Sequence, residues 1–168
     1  MAEQRLWAPW RLQYVQGERG DPGCIFCLAA EPGDDAERHV LQRGAGCFAM
    51  LNAFPYNSGH LMVCPDRHVA SLAELGEREA LALMQLLQRA IGAVRAAYRP
   101  DGLNIGVNEG KVAGAGFAGH VHVHVVPRWE ADSNFMAVTA DTRVLPQSLD
   151  DSFAALRRAF EDRHGADV

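Results

Sequence analysis

The longest run of regular patterning spans residues 77–98. Ala80, Leu83, Met84, Leu87, Ile91, Val94 and Tyr98 recur there at spacings of three and four, the repeat of one helical face. Pro100 and Gly102 end it. A second helix is predicted over residues 149–163. Elsewhere the apolar positions group in short blocks. Residues 47–51 and 60–64 read as strands joined by the turn-rich stretch 52–59, and Pro65-Asp66-Arg67-His68 closes the second. Residues 103–107 read as a strand. Histidine and valine then alternate over 120–125, a further strand that Pro127 is expected to stop. Residues 21–38 carry Asp21-Pro22-Gly23 and Glu31-Pro32-Gly33 and read as turns. Residues 1–20, with Trp7, Trp10 and Tyr14 among polar neighbours, read as an arm packed on the domain or on a second subunit. Strands, helix, strands, helix is the order of an α+β domain with an antiparallel sheet.

The 168 residues suit one domain, with no repeat or linker to divide them. Apolar residues make up 48% and charged residues 22%, which excludes a disordered or fibrous chain. A net charge of −5 argues against coating nucleic acid or an anionic membrane. No apolar run reaches the ~18 residues of a membrane span. The N-terminal stretch has no unbroken apolar segment of the secretory kind, so a cytoplasmic protein is expected.

Four cysteines divide into two kinds. Cys47 and Cys64 lie inside apolar blocks and read as buried small hydrophobes. Cys24 and Cys27 are two residues apart, the spacing of a metal-binding pair. A redox dithiol would need a βαβ setting, which the pattern lacks; a pair of free thiols is the other alternative.

The decisive segment is His120-Val121-His122-Val123-His124-Val125-Val126. On a strand the three imidazoles share a face and the valines enter the core. They could form a polar strand face. They could serve zinc, but the outer two lie too far apart along the strand for one ion, so at most one or two share a metal. Or one could be a nucleophile, since neutral imidazole forms covalent intermediates near pH 7. Gly110, Gly114, Gly116 and Gly119 just upstream let backbone N–H groups converge on an anion. Set before the ladder, that loop reads as a phosphate cradle facing a histidine nucleophile.

The ladder matches the signature of the histidine triad superfamily, which the chain resembles over roughly residues 6–150. Leu51-Asn52 and Pro55-Tyr56-Asn57-Ser58-Gly59-His60 resemble its nucleotide-binding strand pair, and Leu103-Asn104 to Asn108 its next strand. Pro127-Arg128-Trp129 with Asp132-Ser133-Asn134-Phe135 resembles the branch acting on dinucleoside polyphosphates such as diadenosine tetraphosphate.

The resemblance implies a HIT-like α+β fold: about five antiparallel strands, one long helix and a C-terminal helix, pairing as a homodimer. One domain would fill 1–168, with an arm over 1–20, a zinc-binding turn segment over 21–38 and a helix and tail over 147–168. The implied activity is a nucleotide hydrolase or phosphorylase working through a nucleotidyl-histidine, with no nucleic acid or membrane partner. His122 matches the nucleophile, His124 a phosphate contact, and His60 a histidine lining the same phosphate pocket. Asn52 matches the residue bonding ribose hydroxyls and Asn108 one near the α-phosphate, with Gly114 and Gly116 in the cradle; turn chemistry is the competing reading of both asparagines. Relatives also imply a closed structural zinc on Cys24, Cys27, His68 and His120. Some relatives place a hydroxyl residue shortly before the ladder; here the stretch is Gly114-Ala115-Gly116-Phe117-Ala118, so backbone donors must serve and leaving-group assistance is unassigned. The alternatives are an adenosine phosphoramidase and an inactive nucleotide-binding regulatory module. His39 and His164 have no sequence partners and are expected at the surface.

Overall fold

Helix formation over residues 77–98 follows from its ends as much as its stripe. In the computed structural model, which describes residues 23–130, 132 and 147–164, Glu79 accepts the backbone N–H of Gly76 at 2.8 Å. That satisfies one of the orphan donors of the first turn. Arg99 closes the helix in the left-handed region, φ 46°, and Pro100 cannot extend it. The elements in order are α1 (Ile25–Ala30), β1 (Val40–Arg43), β2 (Cys47–Leu51), β3 (Leu61–Pro65), α2 (Glu77–Tyr98), β4 (Gly102–Val107), β5 (Val123–Arg128) and α3 (Leu149–His164). Short 3-10 turns occupy Leu72–Glu74 and Lys111–Ala113.

The five strands form one antiparallel sheet in the order β1-β2-β3-β5-β4. This is the expected α+β fold. Central strands β2 and β3 are buried throughout, because both of their faces are covered. Alternation divides their side chains. Cys47, Ala49, Leu51, Leu61 and Val63 meet α2 and α3 on one face. Phe48, Met50, Met62 and Cys64 turn to the other and pack on Phe26 and Ala29 of α1. Cys47 and Cys64 are buried, as expected.

Several sequence-based expectations shift. The buried stripe of α2 is Leu83, Leu86, Leu87, Ala90, Ala93 and Val94, so Ala80 and Met84 face solvent. Small Ala90 and Ala93 let the helix lie close on the sheet. The segment 21–38 is not all turns: it holds α1, whose last carbonyls are capped by Arg43, donating to Ala30 at 2.9 Å and Ala29 at 3.0 Å. β1 was not located from the pattern. The ladder pairs as a strand only from Val123, and β3 starts at Leu61 rather than His60. Pro127 does not end β5. It pairs with Leu103, while its carbonyl faces the other way and accepts Asn57 Nδ2 at 2.8 Å. Carbonyl and amide of one strand residue point to the same side, and β3 pairs no further along than Val125. The missing N–H of Pro127 therefore costs no ladder bond. The expected arm over 1–20 lies outside the described residues, as do residues 133–135 and the side chain of His164.

Candidate active site

Strand alternation puts His120, His122 and His124 on the sheet face that carries α1. The three rings then do three different things.

His120 is fully buried. Its Nε2 meets the Pro65 carbonyl at 2.8 Å; a carbonyl only accepts, so Nε2 bears the proton and Nδ1 keeps a lone pair. That Nδ1 lies 3.3 Å from Cys24 Sγ and 3.7 Å from Cys27 Sγ, and His68 Nδ1 lies 3.2 Å from Cys27 Sγ. The four ligand atoms all stand within 4.8 Å of one another. Tetrahedral zinc with usual bond lengths would set sulfur and nitrogen about 3.6 Å apart, so the cluster fits that ion. Donation of the second ring nitrogen to a backbone carbonyl is how ligating histidines are normally oriented. All four positions would come from protein, so such a centre would be closed.

His122 is 5% exposed. Its Nδ1 sits 2.9 Å from the His120 carbonyl, so the proton is on Nδ1 and the lone pair on Nε2. Phe26, lying between the two cysteines, packs on this ring in a tilted arrangement, centroids 4.7 Å apart and planes at 31°. Burial lowers the pKa of His122, against the opposing pull of the His120 carbonyl. The ring is thereby kept uncharged.

His124 belongs to a relay. The Tyr56 N–H donates to His60 Nδ1 at 3.1 Å. His60 Nε2 must then carry the proton, which it gives to His124 Nδ1 at 3.0 Å. His124 is left with Nε2–H as a donor. Burial, then the neighbouring histidines, lowers His60 to about 3 and His124 to about 4. His60 was expected to line the phosphate pocket. It is fully buried, lies behind His124 and not among the lining residues of the two cavities that meet there, and stacks on Tyr56 at 5.0 Å. Its contact with those cavities runs through His124.

Two cavities of about 340 Å³ each meet at Tyr56 and His124. The first is walled by Ile25 and Phe26 of α1, by Leu51 and Phe54, and by Phe117, with Asn52, Gly114, Gly116 and His122 on its lining. This is an apolar slot with a few polar groups, the usual make-up of a small-molecule site. The second holds Asn104, Asn108 and Arg128. Asn108 thus falls across His124 from Asn52. Asn52 also makes the turn contact its competing reading required, accepting the Phe54 N–H at 2.9 Å, and its Nδ2 stands 3.5 Å from His60 Nε2.

The glycine loop departs from a simple anion cradle. The N–H groups of Ala113, Gly114 and Ala115 are taken by the carbonyls of Gly110 and Lys111. Gly114 needs its glycine for a φ of 91°. The structure also adds residues that the pattern did not single out. Phe26 and Ile25 were hidden inside the cysteine pair, where a two-residue gap leaves their side chains little choice of direction. His39, expected at the surface, is half-buried against Phe153 and lines the first cavity. Arg128 is fixed by a two-pronged pair with Asp132, one bond being 2.7 Å, and Asp132 accepts Asn57 Nδ2 at 2.9 Å. Trp129 packs on Tyr98 instead of lining a cavity.

Comparison with known proteins places these features in a family setting. The HIT domain model matches residues 34–131. The chain is 41% identical over 157 residues to an AP-4-A phosphorylase of Mycobacterium tuberculosis, covering 89% of this chain and 80% of the relative. It is 35% identical over 85 residues to a bis(5'-adenosyl)-triphosphatase of Dictyostelium discoideum, 51% of this chain and 56% of that one. Among solved structures it resembles a zinc-bound histidine triad family protein from Mycobacterium smegmatis, at TM-score 0.68 and 26% identity over 88% of this chain and 99% of that one.

Proposed function

This chain belongs to the HIT-domain family, and on that footing we propose that it splits dinucleoside polyphosphates through a covalent nucleotidyl-histidine. The observation that carries the reading is the bond from His122 Nδ1–H to the His120 carbonyl. It leaves an uncharged Nε2 lone pair at the wall of a nucleoside-sized cavity. Relatives named for phosphorylase and triphosphatase activity support the substrate class and the status of an enzyme acting on phosphoanhydride bonds.

In the first step the His122 Nε2 lone pair attacks the α-phosphorus. A nitrogen–phosphorus bond forms, and the bridging phosphorus–oxygen bond breaks with its electron pair leaving on oxygen. The ring's new positive charge rests on Nδ1–H against the His120 carbonyl. His124 Nε2–H and the Asn108 amide donate to phosphoryl oxygens, where fixed donors act without reorganising. Asn52 holds the ribose, and Gly114 and Gly116 bound the slot. In the second step an oxygen of water or inorganic phosphate bonds to phosphorus, the nitrogen–phosphorus pair returns to Nε2, and with water as acceptor one of its protons is released to solvent. Water would give AMP and phosphate would give ADP, each beside the departed nucleotide.

Cys24, Cys27, His68 and His120 would hold zinc as a closed structural centre, which supplies no chemistry beyond fixing its ligands. The whole of 1–168 is taken as one domain. Pairing into a homodimer is part of the proposal, supported by the outer edge of β4, which no other described strand pairs, and by its exposed Ile105. So is a cytoplasmic setting, supported by the free thiols. No helix among the described residues is long and apolar enough to cross a membrane.

The test is product analysis on diadenosine tetraphosphate with and without phosphate, joined to mass spectrometry of quenched protein. A nucleotidyl adduct on His122 is expected, with ADP formed only when phosphate is present if the acceptor is phosphate. Full turnover by His122→Ala would overturn the mechanism.

A further inference from the structure

The sheet face that carries the ladder is covered unevenly. α1 packs over β1, β2 and β3. Over β5 and β4 the described residues place no helix on that face, and the second cavity lies there. Its floor follows from register. Gly106 is the cross-strand partner of His124, and Asn104 that of Val126, so Asn104, Gly106 and Asn108 share the face with His124 and Val126.

Gly106 is the residue that makes room. A Cβ built there meets no atom within 4 Å, and its φ needs no glycine. Paired positions directly across a sheet hold their Cβ atoms roughly 5 Å apart. A larger side chain at 106 would therefore stand beside the His124 ring and fill the space. The rim is made of donors: the amides of Asn104 and Asn108, and the Arg128 guanidinium, which gives one N–H to Asn104 Oδ1 at 2.8 Å and is oriented by Asp132.

We propose that this second cavity receives the leaving half of the substrate, the phosphate chain with its second nucleoside, an assignment that rests on the function proposed above. His122 lines only the first cavity, while His124 lines both. In-line displacement sends the leaving oxygen to the side of phosphorus away from the attacking nitrogen. A nucleoside in the first cavity with its α-phosphate at His124 thus directs the departing group across Gly106. Uncharged amides and a guanidinium already shared with Asp132 bind such a chain without trapping the product. A nucleotide with a small amine as leaving group would fill the first cavity alone.

The experiment compares kcat/KM for diadenosine tetraphosphate with that for adenosine 5'-phosphoramidate, in the wild type and in Gly106→Val and Asn104→Ala. Valine suits a strand. The ratio of dinucleotide to phosphoramidate is expected to fall at least about tenfold in each variant, as loss of a pocket contact usually does. The loss should appear mainly in the KM for the dinucleotide. An unchanged ratio, whether both substrates slow together or neither does, overturns the second cavity as a leaving-group site. Wild-type protein that turns over only the phosphoramidate defeats the proposed function itself, before any variant is made.

Discussion

Tautomers decide what each histidine of the ladder can do. Three nearly equivalent positions in the sequence have their ring protons placed by different partners: the Pro65 carbonyl accepts from His120, the His120 carbonyl accepts from His122, and the Tyr56–His60 relay donates to His124. The relay can be tested at its hidden member. Glutamine at position 60 has an oxygen to accept from Tyr56 and an N–H to offer His124; phenylalanine has neither. His60→Gln should retain most of kcat, whereas His60→Phe should lower it by on the order of 100-fold, read by steady-state kinetics. The same residue gives a pH dependence. The unfolded chain protonates His60 near 6.5, whereas the folded protein resists until about 3. More protons are bound by the unfolded state over that interval, so stability is full above pH 6.5 and falls as pH is lowered. The slope contributed is up to about 1.4 kcal/mol per pH unit. In chelator-treated protein the urea midpoint should drop between pH 7 and pH 4.5, and drop less steeply in His60→Gln. Equal slopes would mean that His60 is not held neutral. None of this was legible in the sequence. The ladder and the cysteine pair are visible as spacings, but a tautomer depends on which carbonyl the fold brings near, and Pro65 lies 55 residues from His120.

Elements that repeat a pattern or form an unbroken apolar block, such as α2, β2 and β3, are readable in the sequence, and α1 and β1 are not. The 22-residue α2 shows several turns of periodicity; six-residue α1 and four-residue β1 show none. α1 is made by tertiary contacts: Phe26 and Ala29 in the second core, and Arg43 on its carbonyls. Even in α2 the exact stripe was misjudged, since Met84 is as apolar as its neighbours and only the sheet decides which side is buried. Leu86, Ala90 and Ala93 lie in the buried stripe but outside the periodicity read from the sequence, and Leu86 is the largest of them, with no exposed surface. Leu86→Ala should cost about 2–5 kcal/mol, measured by urea unfolding. α1 carries a sharper prediction. Phe26 packs tilted against the His122 ring from one side; if His122 is the nucleophile proposed above, Phe26→Ala should slow adduct formation on it by about tenfold or more, with Phe26→Tyr restoring it. Quenched-flow measurement would decide, and a change confined to nucleotide affinity would reduce Phe26 to a pocket wall.

At the scale of the molecule, one sheet serves two purposes. The face under α2 and α3 holds the larger core; the opposite face carries the two cavities at one end and the Cys24, Cys27, His68 and His120 cluster at the other. A metal held by that cluster would strap together α1, the segment after β3 and the start of the ladder. Chelation should lower the thermal midpoint by several degrees, since a ligand bound only by the folded form stabilises it. Calorimetry with zinc restored should recover the loss.

Because Ile25 and Phe26 sit between Cys24 and Cys27 of the candidate metal site and also wall the first cavity, a metal bound there and a nucleotide bound in the cavity would share a helix. Thermodynamic reciprocity then applies. Whatever factor zinc adds to nucleotide affinity, nucleotide must return to zinc affinity. If zinc strengthens nucleotide binding, a cell depleted of zinc would strip the idle protein first and spare the molecules occupied by nucleotide.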